Sequence, residues 1–116
     1  MSIDEGLLGW IEEALEPLGR VTNRAMMGGA TLYLDGTVFA ILDDGDLWFK
    51  ADKVSDAEWD SIGAERFTFE MGGKQASMNY RRAPADVHDD PEAMQRWARL
   101  AVQAGFRAPK KKPRRA

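Results

Sequence analysis

The chain contains no cysteine and a single histidine, His88. The first absence excludes disulfides, thiolate metal sites and cysteine nucleophiles. The second leaves imidazole chemistry to one side chain, which stands beside Asp89 and Asp90 ahead of a helix start and reads as an exposed loop residue. No apolar run approaches the roughly 18–20 residues of a membrane span, and the first ten residues, MSIDEGLLGW, are acidic where a secretory signal is basic. The cytoplasm is the expected compartment. Positive charge is also scarce over most of the chain. The first 108 residues hold all 19 carboxylates but only 11 of the 16 Lys and Arg, a net of −8, and the last eight residues carry +5. An acidic body repels nucleic acid at long range, so any such contact falls to a local patch.

What remains is an ordinary globular composition, 44% hydrophobic with four Trp, five Phe and two Tyr in 116 residues. That is room for one domain, with a core that needs neither disulfide nor metal. Leu7, Leu8, Ile11, Leu15 and Leu18 recur at helical spacing opposite Glu12, Glu13 and Glu16, with Asp4 as N-cap and Pro17 and Gly19 closing the segment. Residues 30–34 and 37–42 flank Asp35-Gly36, the two-residue signal of a type I′ hairpin, and residues 47–51 follow a second turn at 43–46. Ser55 with Glu58 reads as a capping box opening a short helix with a buried edge of Trp59 and Ile62. Phe67, Phe69 and Met71 alternate with polar residues, Gly72-Gly73 turn the chain, and Ala76, Met78 and Tyr80 alternate again. Asp90 and Pro91 open the last helix, whose stripe is Met94, Trp97, Ala98 and Ala101 and which Gly105 ends. The expected fold is α+β in two layers, α-β(3)-α-β(2)-α, with one five-stranded antiparallel sheet and helices on one face. The domain is expected over residues 1–108 and a disordered basic tail over 109–116.

Three blocks carry a family resemblance: residues 24–40, RAMMGGATLYLDGTVFA; residues 47–52, LWFKAD; and residues 67–80, FTFEMGGKQASMNY. Together they resemble the TfoX/Sxy N-terminal domain family, with Met27 and Thr31 departing from its usual Phe and Gly. The resemblance covers about residues 5–105. It implies a two-layer sandwich like that of secretion chaperones and a tie to regulators of natural competence, which act on the transcription of DNA-uptake genes. Those namesakes carry a further C-terminal helical domain, which this chain is expected to lack.

No motif assembles into a catalytic site, and no cofactor or metal is expected. Asp43, Asp44 and Asp46 lack the closing Glu of a calcium loop and suit a strand turn. Gly72-Gly73-Lys74 has Thr68 where a phosphate loop needs its first Gly, and leads into a strand. The surface expected to meet a partner is the uncovered face of the sheet, since both faces of residues 37–51 carry large apolar groups. Alternation places Phe39, Ile41, Trp48 and Lys50 on that face, with Arg24, Gly28 and Gly29 as its rim, for a protein partner or a second copy. Lys110, Lys111, Lys112, Arg114 and Arg115 form the nucleic-acid candidate, suited to weak, salt-sensitive contact. The leading expectation is a non-enzymatic regulatory or interaction domain. Weak nucleic-acid association through the tail and a small-molecule enzyme, with a carboxylate such as Glu70 in a pocket, are the alternatives.

Overall fold

Helix α1 (Glu5–Leu15) buries Ile11, Ala14 and Leu15 and presents its glutamates to solvent, as its periodicity requires. The computed structural model describes residues 5–26 and 28–108; the expected cap Asp4 and the tail 109–116 lie outside them. Four strands follow: β1 (Val21–Met26), β2 (Gly29–Leu34), β3 (Thr37–Asp43) and β4 (Asp46–Lys50). After the short helix α2 (Asp56–Ser61) come β5 (Arg66–Met71) and β6 (Lys74–Arg82), a 3-10 turn at Ala85–His88, and α3 (Pro91–Arg107). The order in the sheet is β1-β2-β3-β4-β6-β5, all neighbours antiparallel. The class is the expected one, but the sheet has six strands among the described residues, not five.

The Asp35-Gly36 and Asp44-Gly45 turns hold positive φ at both residues, 48° and 86° in the first and 53° and 84° in the second, as a two-residue I′ hairpin demands. Helices α1 and α3 cover one face. The core beneath them holds Leu32, Phe39, Leu42, Leu47, Phe49, Trp59, Met94 and Trp97. Trp59 lies between Phe49 and Trp97, its ring centroid 5.7 and 4.6 Å from theirs. Two polar side chains stitch the layer: Trp10 Nε1 donates to the Val87 carbonyl at 2.8 Å, and Gln95 Nε2 to the Ala14 carbonyl at 3.0 Å. The last helix begins as expected, Asp90 accepting from the Glu92 N–H with Pro91 in the first turn. It does not stop at Gly105. That glycine lets α3 lie close against β3, since a Cβ there would strike the Val38 carbonyl.

Two local expectations are corrected. Ser55 forms no capping box with Glu58; its hydroxyl accepts from Asp52 N–H, while its own N–H donates to Asp52 Oδ1, both at 3.0 Å. Ile62 is exposed, not part of a buried edge. No helix among the described residues is long and apolar enough to cross a membrane.

Candidate interaction face

Strand pairing sets one row of residues across the uncovered face. Arg24 pairs with Thr31, Thr31 with Ile41, Ile41 with Trp48, and Trp48 with Arg82. Lys50 pairs with Tyr80 in the row beside it. Alternation along β5 and β6 adds Phe67, Phe69, Met71, Ala76 and Met78 to the same side.

This side has a small apolar cluster of its own. Ile41, Trp48 and Tyr80 are buried, with Phe67 packed against them. The Phe67 ring meets Trp48 edge-on at 5.0 Å. Two cations roof the cluster: the Arg82 guanidinium lies 4.5 Å from the Trp48 ring centroid, and Lys50 Nζ 5.2 Å from that of Tyr80. Arg82 is held there by Asp46 and Glu65, each at 3.1 Å. Burial alone would lower the Arg82 pKa, but the hydrogen bonds to Asp46 and Glu65 outweigh it and keep the group above the ordinary arginine value. Burial pushes the Tyr80 phenol above its usual 10.0, and Tyr33 adds to the shift.

The expected surface residues therefore divide. Arg24 and Gly28 are exposed and Lys50 half-buried. Trp48 and Ile41 do lie on the uncovered face but are only 6% and 3% exposed, beneath their neighbours. Phe39 is on the other side, 0% exposed in the helix-covered core. A bulge causes this: Leu32 pairs with Ala40 and Tyr33 with Val38, so Phe39 is the extra residue and shares a face with Ala40. Gly29 is buried in the β1–β2 hairpin, where a Cβ would collide with the Leu42 backbone. The five tail cations lie outside the described residues.

Arg82, Tyr80 and the β5–β6 residues are the part of this face that sequence reasoning missed as a surface. The alternation of residues 67–80 was visible, but nothing in it shows which side the helices cover. Arg82 lies past the last alternating apolar residue and gives no signal of its own.

Groups with chemical potential lie elsewhere and apart. His88 and Glu70 are exposed, on the 3-10 turn and β5. No group of three or more metal-ligating side chains assembles among the described residues. Asp52 has a perturbed pKa, about 2 against 3.8. Hydrogen bonds from Arg107 are the main cause, opposed by burial and reinforced by Ser55. The pair joins the end of α3 to the chain after β4, at 2.7 and 2.9 Å. A cleft of about 480 Å³ opens beside Arg82, between the end of α2 and α3, with Glu65, Asp86, Arg96 and Trp97 in its wall. Its cations are engaged: Arg82 with Glu65, and Arg96 with Glu58 at 3.6 Å.

With this geometry in view, comparison with known proteins defines the class. The TfoX N-terminal domain family matches residues 13–105, and the chain belongs to it. It is 32% identical over 66 residues to the DNA transformation protein TfoX1 of Aliivibrio fischeri, covering 57% of this chain and 32% of that protein. It is 25% identical over 96 residues to Protein Sxy of Escherichia coli strain K12, covering 83% of this chain and 46% of that one. The chain thus spans less than half the length of these curated relatives.

Proposed function

We propose that this chain is a non-enzymatic regulatory module, acting in the cytoplasm, that works by holding a protein partner on the uncovered face of its sheet. The process it would serve is DNA transformation, for which its Aliivibrio relative is named. The observation that carries the reading is the asymmetry of the sheet. Helices pack against one side, whereas the other presents Lys50 and Arg82 over an aromatic floor, with Arg24 on the edge strand of the same face. An apolar face edged by cations in an otherwise acidic body suits a segment that mixes apolar and acidic side chains.

The test is recovery of bound protein by the native chain and by a variant carrying Arg24→Glu and Lys50→Glu. Both side chains stand outside the main core, so the variant is expected to fold. A partner retained by the native chain and lost by the variant supports the reading. Identical recovery by both overturns it. Recovery that disappears on nuclease treatment, or on truncation after Ala108, moves the function to nucleic acid and the basic tail.

A further inference from the structure

The β5–β6 hairpin overhangs the sheet. β6 runs for nine residues, but only Tyr80, Arg81 and Arg82 pair with β4. The rest of the hairpin extends beyond β4 and carries the exposed Met71 (64%) and Met78 (38%). β5 is an edge strand without proline or lysine. Among the described residues its one strand neighbour is β6, and its outer side is marked only by Arg66, Glu70 and a pairing irregularity between Arg66 and Phe67.

The free edge can be read atom by atom. Met71 and Lys74 flank a two-residue turn and pair with each other, so Met71, Phe69 and Phe67 direct their main-chain groups toward β6. Arg82 N donates to the Glu65 carbonyl at 2.9 Å, which puts Glu65 in the same set. Arg66, Thr68 and Glu70 therefore turn their N–H and C=O groups outward, to the open edge.

We infer that two copies of this chain pair through β5, antiparallel about Thr68. Thr68 then meets Thr68, each Phe67 meets the other copy's Phe69, and each Arg66 meets the other copy's Glu70. The outward main-chain groups of Arg66, Thr68 and Glu70 fall opposite one another, as a hydrogen-bonded ladder requires. Both ion pairs form on one side and both phenylalanine pairs on the other. Shifting the alignment by one step of the ladder in either direction separates Arg66 from Glu70. Charge complementarity of the strand with itself is what identifies a second copy as the occupant. The opposite edge, β1, has Arg24 but no carboxylate and offers no such match. The arrangement is closed by a two-fold axis and removes both exposed β5 edges. Arg66 donates to Asn79 Oδ1 at 2.7 Å and stands 3.9 Å from Asp56, contacts on the β6 side that it must share or exchange to reach the other copy's Glu70. The inference does not depend on the partner-binding reading above, since it uses the edge of the sheet and not its face.

Sedimentation equilibrium of the full chain tests it. A reversible dimer in the micromolar range is expected. Thr68→Pro removes an outward N–H and no bond to β6, so the fold should persist while dimerisation weakens by about tenfold or more. Glu70→Arg sets like charges opposite each other twice and should weaken it about tenfold; adding Arg66→Glu should restore it to within about threefold. If Arg66→Glu unfolds the chain through loss of its Asn79 contact, Thr68→Pro and Glu70→Arg decide the question. A monomer at high micromolar concentration overturns the inference. So does a dimer indifferent to Thr68→Pro, a dimer broken by Lys50→Glu on the open face, or growth into filaments, which pairing of β1 with β5 would give.

Discussion

Arg81 is only 2% exposed, yet its guanidinium has four acceptors within reach. Asp60 Oδ1 lies at 2.8 Å, Asp56 Oδ1 and the Ala64 carbonyl at 3.1 Å, and Asn79 Oδ1 at 3.4 Å. Burial is unequal across these ion pairs, because the Asp60 side chain keeps 66% of its surface in water and Asp56 25%. Removing the cation leaves carboxylates that water can reach, whereas removing the carboxylates leaves a buried cation with only the neutral Asn79 and Ala64 oxygens and no counter-charge. Arg81→Met should therefore cost about 1 kcal/mol, and Asp56→Ala with Asp60→Ala about 3 kcal/mol, read from denaturant midpoints. Asp52 supplies a pH dependence. Its pKa in the fold, about 2, is below the ordinary 3.8, so its contribution is complete above pH 3.8 and is lost as pH falls through 2. The thermal midpoint of the native chain should fall more steeply over that interval than that of Asp52→Asn, with the two curves converging below it.

At the scale of elements, Gly105 sets two effects against each other. Alanine is the better helix former by about 1 kcal/mol, but its Cβ would strike the Val38 carbonyl, which no rotamer change can move aside, and crowd the Thr37 methyl. Overpacking of this kind costs about 1–3 kcal/mol, so Gly105→Ala should lower the midpoint of thermal unfolding. The same contact explains why the sequence misplaced the helix end: a glycine needed for close approach looks like one needed for a stop. Where an element buries one regular face, the sequence announced it, as in α1, α3 and the hairpins at Asp35-Gly36 and Gly72-Gly73. β1 was missed because, as an edge strand exposed at five of its six positions, it has no apolar alternation to read. The bulge at Phe39 was missed because period-two counting has no place for an extra residue. That one slip moved Phe39 to the wrong face of the candidate site. Trp48 and Lys50, in regular β4, were placed correctly.

For the molecule as a whole, covering is one-sided while charge is mixed: α3 adds Arg96, Arg99 and Arg107 to the helical layer, and Asp46 and Glu65 sit against Arg82 on the other side. The glutamates of α1 and the carboxylates of α2 belong to the helical layer, while Arg24, Lys50 and Arg82 lie on the opposite side of the sheet. If partner and second copy bind as proposed, they use different parts of that sheet, one its face and the other its β5 edge. Dimerisation would then join two uncovered faces into one longer surface. Binding of a long acidic partner should accordingly weaken in Thr68→Pro, whereas a short one should not distinguish the two proteins.

The contact of Trp59 with Trp97 has an optical consequence. Two indoles held 4.6 Å apart at an interplanar angle of 32° couple their electronic transitions. A third, Trp48, sits across the sheet under a guanidinium in a different electrostatic field. The indole pair and the fourth tryptophan, Trp10 of α1, report on the packing of the helical layer and Trp48 on the occupancy of the face. Circular dichroism and fluorescence can therefore follow the two sides of one sheet separately, without an added label.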